Sequence, residues 1–197
     1  MSNVVGMSYD ILDRMVRAVD LVRERLLRST KALREAGIPY AVVGGNAVAT
    51  WIAKIDLHAV RNTADVDILL REEDLEPAKV AMAAAGFYFR HSAGIDFFAD
   101  GPDGVFRNGI HIIRAGRKIR KDHLLPAPEL EESQPDENYQ VIKFEALVRM
   151  KLNSFRDKDR THLRDMLELE MIDASWKSRF PEPLADRLQQ LIDTPDG

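Results

Sequence analysis

The chain has 197 residues, of which 45% are hydrophobic and 30% are charged, and its formal net charge is −4. This length supports one well-buried domain with a helical appendage. The absence of cysteine excludes disulfides and thiolate metal sites, and the negative charge argues against broad electrostatic binding to nucleic acid. No apolar run reaches the roughly 20 residues of a membrane span, and the N-terminus does not read as a signal peptide. We therefore expect a cytoplasmic protein with no membrane partner.

The first predicted element is a long amphipathic helix over residues 8–36. Its apolar residues recur at steps of three and four, and they are Ile11, Met15, Val19, Val22, Leu26 and Leu33. Gly37 suits the end of this helix, and Pro39 prevents its continuation. We expect the apolar stripe to pack on the domain, and a seam in a homodimer is the alternative.

Short strands and helices are predicted from residue 40 onward. The strands are 40–43, 65–70, 87–90, 95–99 and 105–113, and the helices are 46–53 and 74–85. Asp74 is expected to cap the second of these helices and Gly86 to end it. The turn signals Ser92-Ala93-Gly94 and Gly101-Pro102-Asp103-Gly104 separate the last three strands.

The last third of the chain shows helical periodicity over 143–156, 160–171 and 183–192, with a short helix starting near Asp173. The pattern predicts an α+β fold, with a small mixed β-sheet flanked by helices and a C-terminal helical bundle. We expect an α/β core over 1–121 that includes the N-terminal helix, an exposed connecting loop over 122–139, and a C-terminal helical region over 140–197.

The segment from Tyr40 to Leu70 carries the most specific chemical pattern. A strand ends in Gly44-Gly45, a helix follows, and the next strand bears Asp65 and Asp67. Side chains two residues apart on a strand point to the same face, so these carboxylates should lie side by side. Paired carboxylates hold a hard divalent cation such as Mg²⁺, and glycines allow the backbone to approach a phosphate.

This arrangement resembles the signature of the nucleotidyltransferase superfamily, which has the polymerase-beta-like fold. Within it, the chain is similar to a small prokaryotic branch with AbiEii-type toxins and MNT-type antitoxins, because Arg61-Asn-Thr63-Ala-Asp65-Val-Asp67 matches Arg-x-Thr-x-Asp-x-Asp. The later stretch LVRMKLNSFRDKDRTHLRDML corresponds to the downstream Lys and Arg/Lys-Asp-rich helix of this group, with Lys151, Arg156, Lys158, Asp159 and Asp165. The resemblance spans roughly residues 35–170.

The resemblance implies transfer of a nucleoside monophosphate from an NTP to the hydroxyl of a small molecule, protein or RNA. Asp65 and Asp67 would bind Mg²⁺ (or Mn²⁺) as catalytic metal ligands. The residues that would bind the nucleotide are Gly44, Gly45, Asn46, Arg61, Thr63 and Lys151. Among these, Lys151 would contact phosphate across the cleft, and Arg61 and Thr63 would either brace the Asp-bearing strand or touch the nucleotide.

The chain departs from the superfamily pattern where a third carboxylate is expected on a later strand. His111 stands there, and imidazole suits Mn²⁺ or Zn²⁺ better than Mg²⁺. His111 could act as a neutral catalytic base, or Asp96 could supply the carboxylate from the neighbouring strand. Without either, the chain would bind nucleotide or protein without catalysis, for example as a toxin–antitoxin component.

Several of these residues and segments also have a simpler structural interpretation. Lys151 would extend its stem along the core as a structural lysine, and the run 156–160 would form a solvated, salt-bridged helix face. The basic segment 114–121 would be an exposed loop or an edge that binds RNA backbone. Asp-x-Asp also occurs in glycosyltransferases, although these normally need a larger nucleotide-sugar domain.

Overall fold

A computed structural model of the chain describes residues 3–92 and 94–195. The helices are α1 (Asn3–Glu35), α2 (Gly44–Ala53), α3 (Leu75–Ala84), α4 (Phe144–Ser154), α5 (Asp157–Glu168) and α6 (Glu182–Asp193). The strands are β1 (Ala41–Val43), β2 (Val66–Leu70), β3 (Phe87–Ser92), β4 (Ile95–Asp100), β5 (Ile110–Arg114), β6 (Ser133–Pro135) and β7 (Gln140–Ile142). Short 3₁₀ helices cover Leu57–Ala59, Phe106–Asn108, Leu130–Glu132 and Ala174–Arg179.

The seven strands form one mixed sheet in the order β3-β4-β5-β2-β1-β7-β6. Strand β2 pairs antiparallel with β1 and parallel with β5, and β1 pairs parallel with β7. These pairings place β1, β2 and β5, which carry the candidate site, next to one another in the interior of the sheet. The predicted α+β fold, a mixed sheet flanked by helices, is confirmed.

The alternation of side chains along β2 separates two buried clusters. Val66, Ile68 and Leu70 pack with α1 and α3 on one face of the sheet. Leu69 packs with α2 and the C-terminal helices on the opposite face. Asp67, two residues before Leu69, therefore points to the face that α2 covers.

The long helix α1 packs on the domain only along its C-terminal half. Leu26 and Leu33 are buried, whereas Ile11, Met15 and Val19 are 52%, 60% and 40% exposed. The expectation that the whole stripe packs on the domain is thus wrong for its N-terminal half. The reason is length, since 33 helical residues span about 50 Å and a strand of five residues spans about 17 Å.

Several predicted boundaries and caps need correction. Strand β5 begins at Ile110 and not at residue 105, because Phe106–Asn108 forms a 3₁₀ turn. Asp74 precedes α3 but makes no capping hydrogen bond through its side chain, since its backbone is helical (φ −85°, ψ −6°) and not extended as capping requires. The predicted turn at 92–94 includes Ala93, which lies outside the described residues.

The segment 122–139 differs from the exposed loop that its composition predicts. It contains β6, which pairs with β7 and extends the sheet, and it buries Ala127 and Leu130 in the core. Strand β7 then pairs with β1, so the sheet continues into the C-terminal part of the chain.

The basic residues of segment 117–121 are exposed, as expected for a loop. Among the described residues, no helix combines the length and the hydrophobicity that crossing a membrane requires.

Candidate metal and nucleotide site

Two carboxylates and an imidazole meet at one end of the sheet. Asp67 on β2 is the register partner of His111 on β5, and Asp65 lies just before β2. His111 Nδ1 is 3.4 Å from Asp67 Oδ1 and 3.8 Å from Asp65 Oδ2. One ligand atom from each of the three side chains lies within 4.8 Å of the others, so one cation could contact all three.

The two glycines at the start of α2 create the space around these carboxylates. Gly44 has φ of +66°, and a Cβ atom on it would overlap the carboxylate of Asp67. A Cβ atom on Gly45 would lie 2.8 Å from Thr63 Oγ1. The first turn of a helix has free backbone N–H groups and a positive dipole end, which attract anions. The glycines therefore bring an anion-binding helix end against the acidic cluster.

Asp65 is held by neighbours on three sides. Thr63 Oγ1 donates a hydrogen bond of 2.6 Å to Asp65 Oδ1, and Asn46 Nδ2 donates one of 2.8 Å to the Asp65 carbonyl. Lys158 Nζ lies 3.5 Å from Asp65 Oδ1 and donates to Thr63 Oγ1 at 3.2 Å. Burial opposes ionisation of Asp65, but the Thr63 hydrogen bond and the Lys158 charge outweigh it and hold the pKa of Asp65 below its ordinary value.

His111 presents one defined nitrogen to the carboxylates. Its Nε2 lies 2.9 Å from the carbonyl oxygen of Phe106, so Nε2 carries a proton and donates it, and its ring stacks on the Phe106 ring. Nδ1 is left facing Asp67. Burial alone would lower the pKa of His111, but the hydrogen bonds to Asp67 and to the Phe106 carbonyl raise it above its ordinary value.

Asp96 lies away from this cluster. Phe97 is the register partner of His111, so Asp96, one residue earlier on β4, points to the opposite face of the sheet. Its carboxylate contacts His91 Nδ1 at 2.7 Å and pairs with Arg114. Burial opposes ionisation, but these two partners keep the pKa of Asp96 below its ordinary value. The structure thus brings His111, and not Asp96, to the carboxylate pair.

Lys151 is not in the cleft. Its side chain is buried, and Nζ lies 2.9 Å from Oδ1 of Asp159, a residue that is only 1% exposed. Arg156 Nε lies 2.9 Å from the other oxygen of Asp159. Despite its burial, Asp159 has a strongly lowered pKa, because both cations stabilise its charge. Lys151 therefore neutralises a buried carboxylate in the present arrangement.

Arg61 and Thr63 brace different parts of the site. The Arg61 guanidinium makes a bidentate ion pair with Asp165 on α5, with hydrogen bonds of 2.6 and 2.8 Å. Thr63, as described, holds the Asp65 carboxylate. The segment before β2 is therefore tied to α5 at one point and to the acidic cluster at another.

Lys158 is the site residue that sequence reasoning did not select. The run 156–160 was expected to be a solvated, salt-bridged helix face or junction, which is wrong for the buried Asp159 but fits the exposed, ion-paired Lys158. Phe155, in a left-handed conformation (φ 51°), separates α4 from α5 and lets the first turn of α5 reach Asp65. Only the resemblance to the Arg/Lys-Asp-rich helix of the nucleotidyltransferase branch pointed to Lys158. Its position in the helical pattern is that of an ordinary exposed lysine.

The donor set fits a divalent cation. Two carboxylates and one imidazole nitrogen are typical ligands of Mn²⁺ or Zn²⁺, and carboxylates alone would also suit Mg²⁺. At Gly44 the backbone of α2 lies directly against the Asp67 carboxylate, so a cation held by this cluster would lie beside the first turn of that helix.

Comparison with known proteins supports the fold. No protein-family model matches the chain, and no curated protein matches it by sequence. Among solved structures, it is similar to an antigenic nucleotidyltransferase-like protein from Paracoccidioides brasiliensis, with 18% identity over 90% of each chain and a TM-score of 0.57. It is also similar to the antibiotic-resistance factor ANT(2'')-Ia, with 12% identity over 90% of this chain and 92% of that one and a TM-score of 0.53.

This chain has the nucleotidyltransferase fold. The acidic cluster thus lies in a nucleotidyltransferase-like sheet, at the ends of β2 and β5 and beside the first turn of α2.

Proposed function

We propose that this nucleotidyltransferase-fold chain is a metal-dependent nucleotidyltransferase, which transfers a nucleoside monophosphate from an NTP to an acceptor hydroxyl. The observation that carries the proposal is the convergence of Asp65, Asp67 and His111 beside the Gly44-Gly45 turn. A triphosphate needs both a cation and close backbone donors, and these residues supply a place for each.

The phosphates would bind at the first turn of α2. Gly44 and Gly45 begin that turn, and the backbone N–H groups and the dipole at a helix N-terminus favour negative charge there. Lys158, whose side chain is half exposed beside Asp65, adds a positive charge at the mouth of the site. Asn46 supports this geometry indirectly, because it holds the backbone carbonyl of Asp65.

Asp65 and Asp67 would hold the cation, Mg²⁺ or Mn²⁺, and Nδ1 of His111 would either be its third ligand or stay free to act as a base. When bound, the ion neutralises triphosphate charge and stabilises the attacking and leaving oxygens. Thr63 and Lys158 fix the orientation of the Asp65 carboxylate and keep it ionised at neutral pH. The imidazole favours Mn²⁺ within this pair of ions.

The transfer requires one proton to move. The acceptor oxygen forms a bond to the α-phosphorus, the bond from that phosphorus to the pyrophosphate oxygen breaks, and pyrophosphate leaves. His111 is placed to take the acceptor proton at Nδ1 when the two carboxylates hold the cation, because the Phe106 carbonyl keeps the ring proton on Nε2. Carboxylates that held a cation would stabilise a protonated imidazole less, so His111 would favour its neutral, basic form.

A binding role without transfer is the second candidate. It is favoured by His111, an imidazole at the strand position where the superfamily resemblance implies a carboxylate. Such a protein would act through nucleotide or protein binding, for example as a toxin–antitoxin component of the AbiEii/MNT branch or as a homodimer. In either role we propose a cytoplasmic location, which the cysteine-free composition suits.

The test is calorimetric titration of each of the four NTPs into the wild-type protein and Asp67→Asn, with Mg²⁺ and then with Mn²⁺. We expect metal-dependent binding to the wild type and none to Asp67→Asn, with Asp103→Asn, an exposed turn residue, as the matched control. Pyrophosphate release in the presence of an acceptor separates transfer from binding alone. Metal-independent binding, or equal binding to Asp67→Asn, would overturn the proposed site.

A further inference from the structure

A cavity of about 390 Å³ opens between α1, the outer face of α2 and the segment 57–63. Its wall is mainly apolar, and the side chains that form it include Val19, Val22, Leu26, Ala49, Ala53 and Leu57. A cavity of this size takes a small organic molecule and not a folded segment. A second cavity of about 680 Å³ lies near Tyr40 and Arg71, at the ends of β1 and β2 away from the carboxylates.

Two residues that line the smaller cavity also contact Asp65 of the acidic cluster. They are Asn46 and Thr63, which hold Asp65 through hydrogen bonds of 2.8 Å to its carbonyl and 2.6 Å to its carboxylate. The cavity and Asp65 thus have two neighbouring side chains in common. A molecule bound in the cavity could present a hydroxyl group at the carboxylates without entering the phosphate turn at Gly44.

The chemistry of the wall selects the kind of molecule. Val19 and Leu57 are 40% and 71% exposed, so apolar surface is available for a ligand to cover. No aspartate or glutamate is among the described residues that line the cavity, and its charged residues are Arg23 and Arg61. The wall therefore offers a polycationic ligand no carboxylate partner, and of its two cations Arg61 is already paired with Asp165. A neutral or anionic ligand with an apolar body needs no such partner.

Building on the proposed function, we infer that this cavity is the acceptor site and that the acceptor is a small molecule with an apolar body and no net positive charge. Its hydroxyl oxygen forms the new bond to the α-phosphorus of the NTP, and pyrophosphate leaves. The hydroxyl proton passes to solvent water. The middle of α1, from Val19 to Leu27, thereby supplies one wall of the substrate site.

The test uses 1-anilinonaphthalene-8-sulfonate, an apolar anion, as a fluorescent probe. Ala49→Phe fills the cavity, and Leu57→Asp adds a negative charge at its exposed rim, where folding should not depend on the side chain. Each change should weaken probe binding about tenfold or more, since the loss of one well-packed apolar contact or one new like charge is worth about 1.4 kcal/mol. Ala84→Phe, on an exposed position of α3, is the matched control and should bind the probe like the wild type.

Two further titrations separate the acceptor site from the nucleotide site. Probe and Mn²⁺–ATP should bind wild-type protein together, and spermine, a polycation, should not displace the probe. Unchanged probe affinity in both variants, displacement by spermine, or competition between probe and ATP would overturn the acceptor assignment alone. Failure of the wild type to bind any NTP with either metal would overturn the proposed function and the acceptor role with it.

Discussion

Asp67 and His111 face each other directly across two parallel strands, with 3.4 Å between Oδ1 and Nδ1. Both residues sit within hydrogen-bonded strands, so their separation is set by the sheet and not by a loop. A site built on strands holds its ligands in place before the cation or substrate arrives. The imidazole at this position is therefore expected to determine which metal the site prefers.

Replacing His111 by Asp should shift the metal preference toward Mg²⁺. A third carboxylate is a hard oxygen ligand, which Mg²⁺ accepts more readily than imidazole. We expect the ratio of Mg²⁺ to Mn²⁺ affinity to rise about tenfold, a change of about 1.4 kcal/mol, in metal titrations at a fixed NTP concentration. His91→Asp, an exposed histidine on β3, controls for added negative charge. An unchanged ratio in His111→Asp would remove His111 from the ligand set.

Gly44→Ala should abolish metal-dependent nucleotide binding, whereas Gly37→Ala should not. Both glycines have left-handed backbones, with φ of +66° and +68°, so each substitution should cost about 1 kcal/mol of stability for the backbone alone. Only at Gly44 does the new methyl group overlap a side chain, that of Asp67. Urea unfolding and NTP titration of both variants separate the two effects. Equal nucleotide affinities would contradict the close approach at Gly44.

Two lysines near the site should behave in opposite ways. Lys151→Met should destabilise the protein by about 3 kcal/mol, because Asp159 would remain buried with only Arg156 as an ion-pair partner. Lys158→Met should change stability by less than about 0.5 kcal/mol, since the side chain is half exposed. It should instead weaken NTP binding about tenfold through the loss of a phosphate partner.

Denaturant unfolding measures the stability of Lys151→Met and Lys158→Met, and calorimetry measures their affinity for NTP. The prediction that Lys151 contacts phosphate across the cleft gains support only if Lys151→Met lowers NTP affinity in protein that remains folded. Lys177→Met, a lysine bonded to Gln189 far along the chain, is a suitable control for removal of a positive charge.

Buried His162 should make the fold sensitive to acid. Burial, followed by the charges of Lys151 and Lys158, lowers its pKa from 6.5 to about 4. The unfolded chain therefore binds more protons than the folded one between these pH values, so stability falls as the pH decreases through this window. The contribution of His162 to this loss is about 2 kcal/mol between pH 7.5 and pH 5.

Urea unfolding of the wild type and His162→Gln at pH 7.5 and pH 5 measures the contribution of His162 to the loss of stability in acid. The variant should lose less stability on acidification than the wild type, even if it is less stable at pH 7.5. His58→Gln, at an exposed position, should show the wild-type pH dependence. A pH dependence in His162→Gln as steep as that of the wild type would show that other groups cause the acid sensitivity.

The elements with strong local signals were predictable from residue patterns alone. The Gly44-Gly45 turn, the strand that carries Asp67 directly after Asp65, and the end of α1 just before Gly37 all depend on residues close together in the chain. The start of β5 was less predictable. The sequence pattern indicates one strand over 105–113, but the 3₁₀ turn at Phe106–Asn108 occupies its first part. The buried ion pair of Lys151 was also not predictable from local patterns, because its partner Asp159 lies in the next helix.

Periodicity and two-residue spacing express local geometry, so they were enough to predict the mixed α+β class and the pairing of Asp65 with Asp67. Which third residue joins this pair depends on how distant strands are aligned. Strand register turns His111 toward the carboxylates and Asp96 away from them. Likewise, the left-handed turn at Phe155 brings Lys158 to Asp65 across 93 positions of the chain, from 65 to 158. Such contacts depend on how distant segments pack, and no local pattern in the sequence encodes them.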